Sequence, residues 1–123
     1  MAKWQGDTLD YALAYGKRHA VDAQEAAAQT LRARGYGDYG PKVDILHPQA
    51  VTDLPAAHVV VIKTTYANGR GRERTSYGCG FDAGSRVGAL WAAMRDLQAH
   101  SWGWKPDRDG YVLVEQLSYG FPR

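Results

Sequence analysis

The clearest hydrophobic pattern in the chain is a run of β-branched and aromatic residues at positions 58–66, His-Val-Val-Val-Ile-Lys-Thr-Thr-Tyr. Residues of these types favour strands. The pair Asn68-Gly69 follows, and this pair is the preferred sequence of a two-residue hairpin turn. Residues 72–81 form the predicted return strand. The pattern therefore predicts a central antiparallel hairpin, with 58–66 paired to 72–81.

Two other segments have the composition and spacing of helices. Residues 20–34 are rich in Ala, Gln, Glu, Leu and Arg, contain no Gly or Pro, and are followed by Gly35. Residues 85–99 carry apolar side chains at helical spacing. That stripe consists of Val87, Leu90, Trp91, Met94 and Leu97. The most direct interpretation of the stripe is a core-facing surface.

Shorter segments complete the predicted fold. Residues 42–46 and 111–118 are predicted as strands, whereas 8–15 fits either a strand or a short helix, with the strand preferred for its alternating aromatics. The sequence thus predicts an α+β class: an antiparallel sheet with the hairpin at its centre, and two helices, 20–34 and 85–99, packed on one face. Residues 1–123 are predicted to form a single domain.

Composition narrows the function classes. The chain has 123 residues and a single Cys, which excludes an intramolecular disulfide framework and Cys-rich zinc modules. His19, His47 and His100 are not spaced as a metal site, and no Gly-Lys-Ser/Thr phosphate loop is present, so we expect no metal and no cofactor. Neither a membrane-length apolar run nor a signal peptide is evident, and a cytoplasmic location is expected.

The hairpin also contains the candidate binding residues. A two-residue turn makes the numbers of cross-strand partners sum to 137, which places Lys63 opposite Arg74 with Arg72 on the same face. Gly78 and Gly80 would leave backbone exposed on that face. These residues suggest a site for a small ligand with a carboxylate. The alternatives are that the cations only keep the hairpin soluble and that the glycines let a helix cross closely.

The sequence also resembles a known family. Residues 78–84, Gly-Cys-Gly-Phe-Asp-Ala-Gly, followed by 88–94, Gly-Ala-Leu-Trp-Ala-Ala-Met, resemble the C-terminal regulatory domain of the 2-isopropylmalate, citramalate and homocitrate synthases. The Val-Asp-Ala start of the first helix, at 21–23, is similar too. Gly84 and Ser85 depart from the family pattern. The resemblance implies a dimerising module that holds a small end-product such as an amino acid.

Within such a site, the negatively charged Asp82 is a candidate partner for an ammonium group of the ligand. Lys63 or Arg74 would then bind the carboxylate of the ligand. The alternative for Asp82 is a cap at the start of the following helix. The leading functional prediction is therefore a non-catalytic regulatory module, dimeric, that binds a small carboxylate-bearing metabolite.

Two alternatives stay open. The first is a protein-interaction or inhibitor module that uses aromatic residues in loops and tails. These are Trp4, Tyr36, Tyr39, Trp102, Trp104 and Phe121. The second is nucleic-acid binding through the basic hairpin 63–74, which carries a net charge of +3 from four basic residues and one acidic residue. The element order also resembles a double-stranded-RNA-binding domain, but Val87 and Leu90 stand where that family has lysines.

An enzymatic function has the least support from the sequence. With partners that sum to 137, His58 lies opposite Cys79, an arrangement that would allow a thiolate–imidazole pair. The alternative is that Cys79 is a buried, inert thiol. No catalytic residue is assigned.

Overall fold

The computed structural model describes residues 2–4, 7–15, 20–35, 52, 54–67, 71, 73–101 and 104–121. It has an α+β architecture, as predicted. The elements in chain order are β1 (Ala2–Trp4), β2 (Asp7–Asp10), α1 (Ala20–Ala33), β3 (Ala57–Ala67), β4 (Glu73–Asp82), α2 (Arg86–His100), α3 (Pro106–Asp109) and β5 (Val112–Tyr119). The strand predicted at 42–46 lies outside the described residues.

The main sheet is antiparallel and has three strands in the order β4-β3-β5, while β1 and β2 form a separate two-stranded pair. The central hairpin and both helices lie within a residue or two of their predicted bounds. The segment 8–15 is a strand only as far as Asp10, since 11–15 has no regular structure.

The register of the hairpin differs from the prediction. Partner numbers sum to 140, so that Lys63 lies opposite Tyr77 and Ala67 lies opposite Glu73. Residues 68–72 therefore connect the strands, and the predicted two-residue turn is wrong. Because the shift is three residues, an odd number, every β4 side chain lies on the other face of the sheet from the one expected.

The charges of the hairpin favour the observed register. In the predicted register Lys63 would oppose Arg74, and like charges directly opposite one another are destabilising. In the structure Lys63 instead opposes Tyr77, with its Nζ 5.8 Å from the ring centroid, a cation–π distance. Arg74 opposes a different tyrosine, Tyr66. The two cations are thus separated, and each has an aromatic residue as its cross-strand neighbour.

One face of the sheet, which we call the α2 face, is packed against the second helix. It includes the alternate β3 residues Val60, Ile62, Thr64 and Tyr66. Ala89, Ala93 and Leu97 of α2 are fully buried against it, and Trp104 joins the same core. The helix begins at a well-defined cap, because the Ser85 hydroxyl accepts the Gly88 N–H at 2.9 Å.

The other face, which we call the aromatic face, is covered by the segment that follows β2. Its buried centre is Val59, Val61 and Cys79. The partly buried residues packed around that centre are Tyr11, Leu13, Tyr77, Phe81, Leu117 and Tyr119. Two tyrosine pairs form there: Tyr11 with Tyr77 at 5.2 Å between ring centroids, and Tyr15 with Tyr119 at 5.8 Å.

Helix α1 is joined to this covering segment. Directly after the helix, the Arg34 guanidinium donates to the Tyr11 carbonyl oxygen at 2.8 Å and pairs with the Asp10 carboxylate at 3.3 Å. Leu31 of the helix is fully buried. The contacts described for the end of α1 are therefore with the segment on the aromatic face, whereas α2 covers the other face. Among the described residues, no helix is long and apolar enough to cross a membrane.

Candidate functional site

The residues predicted to bind a small acid are not brought together. Because of the register, Lys63 lies on the aromatic face and Arg74 on the α2 face. Arg72 lies outside the described residues. The arrangement on which the small-acid prediction rested, with Lys63 and Arg74 on one face beside exposed glycine backbone, is therefore absent.

Gly78 and Gly80 lie on the α2 face, where helix α2 occupies the space above them. A Cβ built on Gly78 would meet the Ala93 carbonyl oxygen, and one built on Gly80 would meet the backbone of Ala89 and Ala93. The glycines thus permit close helix–sheet packing, which is the alternative considered for them. The helix concerned is α2.

Asp82 is engaged with the backbone that leads into α2. Its Oδ2 accepts the N–H groups of Gly84 at 2.9 Å and Ser85 at 2.7 Å. These are the bonds of a residue that orders the loop before a helix, whereas the helix cap considered as the alternative for Asp82 is provided by Ser85.

The predicted pairing of His58 with Cys79 is wrong, because the two residues lie on opposite faces. The His58 ring contacts Ser118 Oγ through Nδ1 at 2.7 Å and stacks on Phe121 at 4.8 Å between centroids. Burial, with smaller contributions from Asp96 and Glu115, raises the pKa of the Cys79 thiol to about 12. A thiol with this pKa is a poor nucleophile. In the described part of the chain no cluster of His, Cys, Asp and Glu is arranged to hold a metal ion.

The aromatic residues predicted to bind a partner lie in different environments in the structure. Trp104 is buried in the core, and its indole N–H donates to the Gly110 carbonyl oxygen at 2.8 Å. Phe121 is exposed on the α2 face beside His58. Trp4 belongs to β1. The remaining three, Tyr36, Tyr39 and Trp102, lie outside the described residues.

The most exposed apolar strand is β5, at the edge of the sheet. Three consecutive apolar residues, Val112, Leu113 and Val114, are exposed, with 54% of Leu113 accessible. Leu113 lies opposite Ile62 and hence on the α2 face. A bulge follows it, because Val61 pairs with Glu115 while the next residue pairs with Leu113. We call residues 112–121 the β5 edge.

The two edges of the sheet differ. At the β4 edge, the Asp96 carboxylate of α2 accepts the Cys79 N–H at 2.8 Å, and β2 packs against the same strand. At the β5 edge, no strand among the described residues pairs with the outer side of β5. An open edge presents unpaired backbone donors and acceptors to other chains.

Helix α2 also has apolar side chains outside its buried stripe. Leu90 and Met94 are half-buried against the core, whereas Val87 and Trp91 are exposed.

On the α2 face the β5 edge is uncharged, since its residues there include Leu113, Gln116 and Ser118. The one acidic residue of β5, Glu115, lies on the aromatic face and accepts a hydrogen bond from the Tyr11 hydroxyl at 2.8 Å. Burial, followed by this carboxylate, raises the pKa of Tyr11, so that the phenol remains a donor.

The sequence predicts β5 as a strand but does not predict its exposed position at the edge of the sheet. The available signal was the consecutive run Val112-Leu113-Val114, which does not alternate and which only an edge position leaves exposed. No known protein provides a guide here, because no family model, no curated protein and no solved structure matches this chain.

Proposed function

We propose that the protein is a protein-interaction module that binds another polypeptide along its β5 edge. The observation that carries the proposal is the contrast between the two sheet edges. The β4 edge is capped by Asp96, whereas the outer side of β5 is paired with no strand among the described residues and carries three exposed apolar residues. Addition of a strand is the mode of recognition that such an edge suits.

The chemistry of the surface specifies the kind of partner. Backbone groups on the outer side of β5 require a partner strand that supplies complementary donors and acceptors. The exposed Leu113 requires an apolar side chain of the partner strand on the α2 face. The absence of charge from Leu113, Gln116 and Ser118 on the α2 face makes a strongly acidic or basic partner surface a poor match.

Site-specific photo-crosslinking tests the proposal. A photoreactive phenylalanine analogue placed at Leu113 should give discrete adducts with a polypeptide when the protein is irradiated in its own cells. Val21 provides a matched control, because it is also an exposed apolar residue but lies on α1. Adducts from position 113 and none of the same mass from position 21 would support the proposal. Absence of a discrete adduct from 113, or identical adducts from both positions, would contradict it.

A further inference from the structure

The segment that follows β2 crosses the aromatic face from one side of the sheet to the other. We call this segment, residues 11–15, the strap. It begins at β2, which packs against β4, and at its other end the Tyr15 ring stacks on Tyr119 of β5, with 5.8 Å between centroids. Between these ends Leu13 packs on the buried centre of the face. The strap pairs with no strand among the described residues, so side-chain contacts fasten it to the sheet.

Tyr11 contacts both outer strands of the sheet. Its ring lies 5.2 Å from the ring of Tyr77 on β4, and its hydroxyl donates to the Glu115 carboxylate on β5 at 2.8 Å. Because β3 lies between these two strands, the Tyr11 side chain reaches across it. The hydrogen bond joins a half-buried phenol to a carboxylate, and bonds to charged groups contribute more than neutral ones.

Arg34 fastens the strap to the end of α1. Its guanidinium donates to the Tyr11 carbonyl oxygen at 2.8 Å and pairs with the Asp10 carboxylate at 3.3 Å. Since Arg34 directly follows α1, a continuous series of contacts leads from that helix through Arg34 and Tyr11 to Glu115 on β5.

Strand β5 is the element that this second attachment serves. Among the strands that the structure describes, β5 pairs only with β3, and a bulge interrupts that pairing just before Glu115. The strap contacts β5 at Glu115 and again at Tyr119, which are the two ends of the stretch after the bulge. The Tyr119 hydroxyl also donates to the Leu54 carbonyl oxygen at 2.8 Å.

We infer that the strap holds β5 in place, and that Tyr11 and Arg34 are positioning residues for the β5 edge. This inference rests on the proposed function and concerns how that same surface is controlled. With the strap closed, β5 is a fixed strand, and a preordered strand loses less conformational entropy when it binds a partner. When the strap opens, β5 loses one of its two attachments and Cys79 becomes accessible. Such an opening is local and leaves the rest of the sheet folded.

The rate at which a disulfide reagent modifies Cys79 measures opening of the strap. Cys79 is the single cysteine of the chain and is buried, with Tyr11 and Leu13 packed around it. Tyr11→Phe removes only the hydroxyl, and Arg34→Ala removes the attachment to α1. Each should accelerate the modification by about threefold to tenfold, the effect expected from loss of one hydrogen bond.

Two controls separate opening of the strap from a general loss of stability. Arg32→Ala removes an arginine of the same helix whose side chain pairs with Glu25 within α1, and it should leave the rate of modification unchanged. Low concentrations of urea should alter the rate in Tyr11→Phe only slightly, because opening of a short segment exposes little surface. Modification through global unfolding would instead accelerate steeply with urea.

Hydrogen exchange and photo-crosslinking test whether the strap holds β5. In Arg34→Ala we expect faster exchange of the β5 amide groups and unchanged exchange in α2, which packs on the other face of the sheet. The yield of adducts from a photoreactive residue at position 113 should fall in the same variant, because the loosened strand has more entropy to lose on binding.

The outcomes distinguish this inference from the proposed function. Faster modification of Cys79 together with faster exchange confined to β5 supports the inference. An unchanged rate of modification in both Tyr11→Phe and Arg34→Ala overturns it. Faster modification with no change in β5, with an equal change in α2, or with an undiminished yield of adducts, overturns it as well. If the wild-type protein gives no adducts from position 113, the proposed function fails, while the modification and exchange rates still decide whether the strap holds β5.

Discussion

Gly80 of β4 lies so close to Ala93 of α2 that a single additional carbon atom on the glycine would meet the helix backbone. Gly78, two residues earlier on the same face, has the same relationship with the Ala93 carbonyl oxygen. Alternate glycines and the small residues Ala89 and Ala93 together bring the helix down onto the sheet. This close contact fixes which face of β4 the helix covers, and with it the register of the hairpin.

Gly80→Ala should therefore destabilise the fold. The added Cβ meets backbone atoms, which cannot move aside without shifting α2, and overpacking of this kind costs about 1–3 kcal/mol or more. Gly84→Ala is the control, since its Cβ would meet only the Asp82 side chain, at 3.3 Å. Chemical denaturation of both variants checks the prediction. An equal, small effect at the two positions would show that α2 does not pack as closely as described.

Asp96→Ala should also lower the free energy of unfolding. The carboxylate accepts the N–H of the buried residue Cys79 at the sheet edge, and loss of a partner for such a group costs about 1–3 kcal/mol. Asp96→Asn retains a side-chain oxygen in nearly the same place and should cost less. Thermal unfolding of the two variants, with hydrogen exchange of the Cys79 amide, measures the difference. If Asn and Ala were equally harmful, the charge and not the hydrogen bond would be the main contribution.

The fold was largely predictable because its signals are local. The β-branched run of β3 and the helical spacing of 85–99 each specify an element without reference to the rest of the chain. The register of the hairpin could not be predicted in this way. The pair Asn68-Gly69 predicts a turn from two residues alone, whereas the register depends on the packing of Gly80 against helix α2, which follows later in the chain. A tertiary contact overrode a local turn preference here.

The candidate site was less predictable for the same reason. The small-acid hypothesis needed Lys63 and Arg74 on one face, and the change of register by an odd number separated them. The β5 edge depends on strand order, which places 112–119 at an edge beside β3 and closes the other edge with Asp96. Neither the order of strands nor the capping of an edge can be read from the hydrophobic pattern of one strand.

Trp104→Phe should weaken the attachment of the loop that precedes β5. The Trp104 indole and the Thr64 hydroxyl both donate to the Gly110 carbonyl oxygen, at 2.8 and 2.9 Å. Phenylalanine keeps most of the apolar contact and removes one hydrogen-bond donor, so the free energy of unfolding should fall by about 1 kcal/mol. Thr64→Val, which removes the other donor with little change of volume, is the companion variant. Urea denaturation should show that the double variant loses more than the sum of the two single variants, because only the double variant leaves the shared acceptor without either donor.

The stability of the protein should decline in alkaline solution because of Cys79. Burial raises the pKa of this thiol from 9.0 to about 12 in the folded protein. Above pH 9 the unfolded chain has lost the thiol proton while the folded protein keeps it. The unfolded state then binds fewer protons, and the free energy of unfolding falls as pH rises from 9 towards 12, by at most about 1.4 kcal/mol per pH unit from this group. Denaturation at several pH values, compared with Cys79→Ala, isolates the thiol from the tyrosines, whose ordinary pKa is higher. An unchanged slope between pH 9 and 10 in Cys79→Ala would contradict the assignment, as would rapid modification of the thiol by a disulfide reagent in the folded protein at neutral pH.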